Sequence, residues 1–255
     1  MIHPTAIIHP KAELAADVVV GPYCVIGEAV QLEKGCVLHN QVTLSGPAVF
    51  GPRNTFHTGA CIGSVTQDLK YAGEPTWLVV GEHNVFREYT TVNRGTLAGE
   101  KTVIGSHNHF LAYCHIAHDC VVGNHVIFSN NGTLAGHVVV EDHVILGGLT
   151  AVHQFCRLGK HAITGGCSKI VQDVPPFMIV DGNPAEVRGV NVVGLQRHQF
   201  DEAAIRPIKE AYKALFMRGN NITEALAELE TLTVASPAVA HLSAFIQTSQ
   251  RGIIR

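Results

Sequence analysis

Large apolar residues recur along this chain at every sixth position. Stepping by six from Ile2 to Ile170 meets 29 positions, and 25 of them are Leu, Ile, Val or Phe. This period matches neither the 3.6-residue repeat of an amphipathic helix nor plain alternation along a long strand. It predicts short strands separated by turns, with one large side chain per hexad in the interior. The position two before each of these is usually small or β-branched, and Cys24, Cys36, Cys114, Cys120 and Cys156 fall on it. These cysteines read as small hydrophobes in a packed interior. Glycine follows the register residue at Gly21, Gly27, Gly51, Gly63, Gly81, Gly105, Gly123, Gly147 and Gly159, which predicts turns with φ > 0. Two interruptions, roughly Ser64 to Trp77 and Arg94 to Lys101, preserve the phase modulo six and read as loops thrown out of the repeat.

After Asp173-Val174-Pro175-Pro176 the period ends and helical signals replace it. Asp201 is a candidate cap with Phe200 as its staple, ahead of an apolar stripe at Ile205, Ile208, Tyr212, Leu215 and Phe216, with Gly219 as the stop. Pro207 lies within that stripe and predicts a kink or a late start. Thr223 opens a second helix, and Ser236-Pro237 a third ending near Gly252. Two domains are expected, a repeat domain over residues 1–186 and a helical domain over 187–255.

Composition narrows the function classes. Apolar residues make up 46% and charged residues 15%, with a net charge of −3, which excludes a disordered chain and disfavours nucleic acid as a partner. No apolar run approaches the ~18 residues of a membrane span, and the N-terminus carries no basic leader before an apolar core, so a cytoplasmic protein is expected. Seven cysteines with no CxxC pair argue against a disulfide framework or a structural zinc site. Residues 187–255 carry 8 basic and 6 acidic side chains, against 10 and 15 before them. Sixteen histidines are the remaining anomaly.

The repeat resembles that of the hexapeptide-repeat proteins, whose [LIV]-G-x4 units build a left-handed parallel β-helix with three hexads per coil. The resemblance implies a mainly β fold followed here by a small α-helical domain. With 18 residues per coil, side chains 18 apart stack at about the 4.8 Å strand spacing. His118 then stacks beneath Gly136, and Gly136 beneath Gln154, while Asp119 stacks beneath His137. His115, His118, Asp119, His137, His153 and Gln154 form one polar patch over three coils. Histidine is the side chain that ordinarily changes protonation near neutral pH, which suits His118 to general-base work. Asp119 on its other ring nitrogen would fix the tautomer. The alternative is that these histidines satisfy turn backbones. A second column, His107, His125, His143 and His161, occupies an outward repeat position and reads as a solvated ladder.

The segments IGSVTQDLKYAGEPT, HIAHDC, GTLAGHV, TAVHQFC and GGCS, in that order and followed by a helical tail, resemble the UDP-N-acetylglucosamine O-acyltransferases of lipid A biosynthesis over essentially the whole chain. That family moves an (R)-3-hydroxyacyl group from acyl carrier protein to the glucosamine 3-hydroxyl. The resemblance implies His118 as general base, Asp119 as its orienting carboxylate and the Gly136 amide as oxyanion donor. It implies Gln67, Asp68, Lys70, His115 and His137 around the sugar and reacting groups, and His153, Gln154, Asn191 and Arg197 near the nucleotide. It makes Gly166 the residue that limits acyl length, where glycine leaves room for a chain of about 3-hydroxymyristoyl size. It implies UDP-N-acetylglucosamine and acyl carrier protein as partners, a homotrimer with sites between subunits, and no metal or cofactor, the carrier thioester being the donor. Lys160, Lys169, Arg206, Lys209, Lys213 and Arg218 are candidates to dock the acidic carrier. Three readings compete: a zinc enzyme resembling γ-class carbonic anhydrases, supported by histidine abundance alone; the related N-acyltransferase acting one stage later, which carries an extra N-terminal domain before its repeats, whereas the repeat here begins at Ile2; and a scaffold without activity.

Overall fold

The computed structural model describes residues 1–255. Strands of two to four residues, beginning at Ile7–Ile8, follow one another around a three-sided prism. Each strand pairs in parallel with the strand one coil away, giving sheets of nine, eight and ten strands. The first sheet runs from Ile7–Ile8 to Lys169–Ile170, the second from Glu13–Leu14 to Arg157–Leu158, and the third starts at Val19–Val20. In the uninterrupted stretch His115 pairs with Thr133, Thr133 with Ala151 and Ala151 with Lys169, the 18-residue register expected. Across the two interruptions the partners are Cys61 with Thr91 and Thr91 with His115. The loops therefore add whole hexads and leave the faces aligned.

The interior is the apolar column that the period describes. Phe50, Phe56, Phe86, Phe110 and Phe128 pile up along it with ring centroids 5.1–5.3 Å apart. All five register cysteines are fully buried, and several cap a carbonyl of the next coil, as Cys120 Sγ does to Ala135 O at 3.2 Å. A second polar ladder sits among these small residues. Asn54, Asn84 and Asn108 are buried one coil apart, and each side-chain carbonyl accepts the backbone N–H of the next rung. Buried amides of this kind are tolerated because both ends are paired.

The glycines correct one sequence expectation. Most of those following the register residue do not have positive φ. They are needed because a Cβ would strike the backbone of the next coil, 2.6 Å from Gly123 O for Gly105 and 2.5 Å from Thr164 O for Gly147. The left-handed conformation falls two residues later, at non-glycine residues such as His107, Asp119, His137 and His161.

Beyond Ile170 the third sheet ends in an antiparallel hairpin of Met178–Gly182 and Ala185–Val190. The expected boundary at 187 falls within its second strand. Four helices follow: α1 (Val192–Arg197), α2 (Glu202–Phe216), α3 (Ile222–Ala235) and α4 (Pro237–Gln247). Asp201 caps α2 through the Ala204 N–H at 2.8 Å. Pro207 lies inside α2, which nevertheless begins at Glu202, so the late start is corrected: the first turn, anchored by its cap, forms ahead of the proline. Helix α3 opens one residue before the expected Thr223, on a capping box between Asn221 and Glu224. Helix α4 stops at Gln247, five residues short of Gly252, because the chain turns back to the prism there. Asp173 N–H donates to Gly252 O and Ile254 N–H to Asp173 O across this return, each at 2.9 Å, and Ile254 joins the prism core. Helix α1 was not expected: its six residues carry no periodic stripe.

Candidate active site

Three corners join the three sheets, and the polar patch sits at the corner between the first and second. His115–Ile116 ends one strand and Val121–Val122 begins the next, so residues 117–120 form the turn that carries His118 and Asp119. Asp119 has φ 59°, and His137, one coil on, also has φ 59°. The His118 Nδ1 lies 2.8 Å from Asp119 Oδ2, with only 12% and 7% of the two side chains exposed. His137 Nε2 is 3.7 Å from the same oxygen. A carboxylate only accepts, so the His118 proton sits on Nδ1 and Nε2 is left as a free acceptor.

Asp119 is itself held. Its Oδ1 accepts the Thr96 N–H at 3.1 Å, and its backbone N–H donates to Thr102 Oγ1 at 2.9 Å. Thr96 belongs to the second excursion, and its hydroxyl meets that of Thr66, on the first excursion, at 2.9 Å. Thr66 Oγ1 in turn accepts the Asp68 N–H at 3.1 Å. Both loops are therefore tied to the carboxylate. Buried Arg94 anchors the second loop from below through the carbonyls of Gly46 and Gly63.

Gly136 lies against the His118 ring. An added Cβ would stand 2.7 Å from Nε2. The Gly136 N–H donates to no backbone carbonyl, while its own carbonyl accepts from Phe155 N at 3.2 Å. A fixed, uncommitted N–H thus stands beside an imidazole with a free nitrogen, the pair of groups that acyl transfer requires. His115 is hydrogen-bonded to Thr91 Oγ1 at 2.7 Å, and burial, then the nearby His118, lowers its pKa, so it stays neutral. His153 and Gln154 are exposed one coil above, with His153 Nδ1 3.1 Å from Gln154 O.

The other expected residues lie elsewhere. Gln67 and Lys70 are exposed on the first excursion, and Asp68 Oδ1 accepts the Lys70 N–H at 2.9 Å. Gly166 sits exposed at the corner between the third and first sheets, the opposite edge of the first sheet from His118. Asn191 is 7% exposed and caps α1: its amide donates to His161 O at 2.9 Å and accepts from Gly194 N at 3.1 Å. Arg197 is exposed in the last turn of α1. Both belong to the corner between the second and third sheets, so one chain alone does not bring them to His118.

The histidine ladder corrects a further expectation. His107 and His125 are exposed, but His161 is buried, with 4% exposed. The C-terminal segment folds over it, setting His198, Phe200 and Phe177 against its ring. The sequence reading also missed Thr66, Thr96 and Thr102. Thr102 stands 17 residues before Asp119; the 18-residue arithmetic sets it beneath Cys120, and its hydroxyl reaches the neighbouring Asp119 N–H. Thr66 and Thr96 lie on excursions that carry no period.

No helix is long and apolar enough to cross a membrane. The family model described as UDP-N-acetylglucosamine O-acyltransferase, domain 2, matches residues 173–254, and that of the bacterial transferase hexapeptide (six repeats) matches residues 101–136. The chain is 46% identical over 256 residues to the acyl-[acyl-carrier-protein]--UDP-N-acetylglucosamine O-acyltransferase of Stutzerimonas stutzeri (strain A1501), covering 100% of this chain and 99% of that protein. It is 48% identical over 259 residues to the enzyme of the same name from Verminephrobacter eiseniae (strain EF01-2), with the same coverage. Among solved structures, the UDP-N-acetylglucosamine O-acyltransferase of Moraxella catarrhalis RH4 superposes with a TM-score of 0.95 at 40% identity, over 100% of this chain and 99% of that one. The Francisella novicida UDP-N-acetylglucosamine acyltransferase gives 0.97 at 35% identity, over 100% and 94%. With whole-length identity of this order and the same fold, the chain belongs to the UDP-N-acetylglucosamine O-acyltransferase family.

Proposed function

We propose that this chain transfers an (R)-3-hydroxyacyl group from acyl carrier protein to the 3-hydroxyl of UDP-N-acetylglucosamine, the reaction that opens lipid A biosynthesis, with His118 as general base. The observation that carries it is the His118–Asp119 pair set beside the uncommitted Gly136 N–H. His118 Nε2 takes the proton of the sugar 3-hydroxyl as that oxygen attacks the thioester carbonyl. The imidazolium so formed is stabilised by Asp119, and the tetrahedral oxyanion by the Gly136 N–H. Collapse breaks the C–S bond, and the carrier thiolate recovers the proton from His118. No metal or cofactor enters these steps.

Gln67, Asp68, Lys70, His115 and His137 surround the sugar and reacting groups in this reading, and His153, Gln154, Asn191 and Arg197 take the nucleotide. Arg197 suits a diphosphate, because guanidinium pairs with phosphate oxygens in a bidentate way. Since Asn191 and Arg197 stand at a different corner from His118, the reading requires a second copy to complete each site, and a homotrimer meets that need. The carrier is met by Arg206 and Lys209, which project unpaired from α2; Lys213 and Arg218 are already engaged by Glu210 and Glu228. A Cβ at Gly166 would meet only Gly148 O at 3.4 Å, so the space beside it is open and suits a donor of about 3-hydroxymyristoyl length. Such a protein works in the cytoplasm, where its donor is made.

The test is transfer from 3-hydroxymyristoyl acyl carrier protein to UDP-N-acetylglucosamine, with wild type beside His118→Ala. The expected result is a loss of at least about 10³-fold with sugar-nucleotide binding retained. A mutant within tenfold of wild type would remove His118 as the base, and an inactive wild type would remove the donor or acceptor.

A further inference from the structure

The carboxylate that orients His118 is gripped from two parts of the chain. Asp119 Oδ2 accepts from His118 Nδ1 at 2.8 Å, and Oδ1 accepts the Thr96 N–H at 3.1 Å. Both are hydrogen bonds to a charged acceptor, the stronger kind. His137 Nε2 stands 3.7 Å from the same Oδ2. A carboxylate pinned through both oxygens keeps its plane; released at Oδ1, it can swing its other oxygen from His118 toward His137. The Thr96 N–H therefore decides which imidazole Asp119 serves.

That N–H belongs to the second excursion, and the first holds it in place. Near the prism the Arg94 N–H donates to Ser64 O at 2.9 Å and the Asn93 amide to Val65 O at 2.8 Å. Farther out the Gly95 N–H donates to Trp77 O at 3.3 Å and the Gly99 N–H to Pro75 O at 3.0 Å. These bonds join the two excursions without either threonine side chain. Between them the Thr66 and Thr96 hydroxyls meet at 2.9 Å, with 6% and 3% of the two residues exposed. Thr66 Oγ1 also accepts the Asp68 N–H at 3.1 Å, and Asp68 Oδ1 accepts the Lys70 N–H at 2.9 Å. A continuous run of polar contacts thus leads from exposed Lys70 to the Asp119 carboxylate. Gly95 sharpens its last step: a Cβ there would stand 2.6 Å from the Glu100 carbonyl carbon, so the backbone carrying the Thr96 N–H is pressed against the return of its own loop.

We propose that Thr66 and Thr96 are positioning residues for the acyl transfer, their hydroxyl pair seating the Thr96 N–H on Asp119 so that the excursion bearing Gln67, Asp68 and Lys70 sets the orientation of the base. This rests on the reading of His118 as base and of the first excursion as sugar-binding. Neither threonine touches the reacting atoms. Because other bonds already join the excursions, loss of the hydroxyl pair leaves both loops in place and loosens the carboxylate. A buried pair of this kind holds its geometry because no water competes for it.

The experiment compares the full-length wild type with Thr66→Val, Thr66→Ser, Thr96→Val and the double valine variant. Valine keeps the shape and removes the hydroxyl, and serine restores it. The first readout needs no substrate: the downfield proton resonance of the imidazole Nδ1–H on Asp119, assigned by its loss in His118→Ala. It is expected to move or broaden in every valine variant and to keep its wild-type position in Thr66→Ser. The second is transfer from 3-hydroxymyristoyl acyl carrier protein to UDP-N-acetylglucosamine. Each single valine variant is expected to lose about tenfold in kcat with sugar-nucleotide Kd within about threefold. The double variant should lose no more than Thr66→Val, since both substitutions remove one bond. An unmoved resonance, losses that multiply in the double variant, or a serine variant no better than valine overturns the assignment. So does a weakened Kd with kcat held, which would make the threonines supports of the sugar loop alone. A wild type without transfer activity whose resonance still follows Thr66 would overturn the proposed reaction and uphold the positioning of Asp119.

Discussion

Replacing Gly136 by alanine tests whether the position of the His118 ring governs turnover. The new Cβ would stand 2.7 Å from Nε2 and 3.1 Å from Nδ1, and closer still to Cε1. Ordinary contact begins near 3.4–3.5 Å, so the ring must retreat by about 0.7–1 Å. It cannot do so freely, because Nδ1 is tied to Asp119 Oδ2 at 2.8 Å and the His137 ring packs edge-on 5.3 Å away. Gly136 is outside the left-handed region, so alanine adds no backbone strain and the N–H stays in place. The substitution therefore moves the base and little else. A displacement of about 1 Å costs roughly 10²-fold in a reaction that depends on near-attack geometry, or about 2.7 kcal/mol on the barrier. The assay is steady-state acyl transfer with sugar-nucleotide Kd and Tm measured alongside. The expectation is a fall in kcat of about 10²-fold, a Kd within threefold and an unchanged Tm. A kcat within threefold of wild type would refute the reasoning, since a displaced imidazole would then transfer protons as well as a seated one.

Three further outcomes follow from the packing. Asn84→Ala leaves the buried Asn108 N–H and the Gly105 carbonyl without their side-chain partners; at roughly 1–3 kcal/mol each, chemical denaturation should show a loss of about 2–6 kcal/mol, and a loss below 1 would mean the ladder is not structural. Burial pushes the thiols of Cys114 and Cys156 up to about 11 and that of Cys120 up to about 12; in the folded chain a thiol reagent should therefore label exposed Cys167 and not these three, as mass spectrometry would read. His161 accepts a proton near pH 6.5 when unfolded but only near 3 when folded, so its share of stability is complete above pH 6.5 and is lost as pH falls through that window. Between pH 6.5 and 4.5 that share is up to about 3 kcal/mol. His161→Phe should flatten the fall in denaturation midpoint, and an equal fall in both proteins would show that the group does not titrate this way.

The repeat was legible because each hexad commits one large residue to a narrow interior, and a single misplaced phase would expose the whole column. Its first coil shows the limit of that logic: Ile2 obeys the period yet is 54% exposed, since no coil lies beneath it. The active corner was legible for the same reason, as 18-residue spacing turns sequence into vertical contact. His118, Gly136 and Gln154, and Asp119 and His137, stand where that arithmetic puts them. What it could not supply are contacts made by chain outside the repeat. The Thr96 N–H on Asp119 comes from an excursion, and the cover over His161 comes from residues that carry no hexad phase. Tertiary return of the chain decided both.

The two histidine groups share one backbone cause. Most corners of the coils force one residue into the left-handed region, at a cost on the order of 1 kcal/mol for a residue with a Cβ. At that position the side chain leaves the prism at its sharpest edge, free of the sheets on either side. Asp119 and His137 occupy it at one corner, and His143 and His161 at another. The stability of the stack comes from the interior column and the ladder between coils, neither of which uses these side chains. A polar group can therefore be placed at any corner without disturbing the core, and two groups 18 residues apart are delivered within contact of each other. Chemistry at a corner then needs only a third element to complete it. At the candidate active corner that element is the pair of excursions that hold Asp119; at the other, the chain leaving α1 only packs His198 over the ladder.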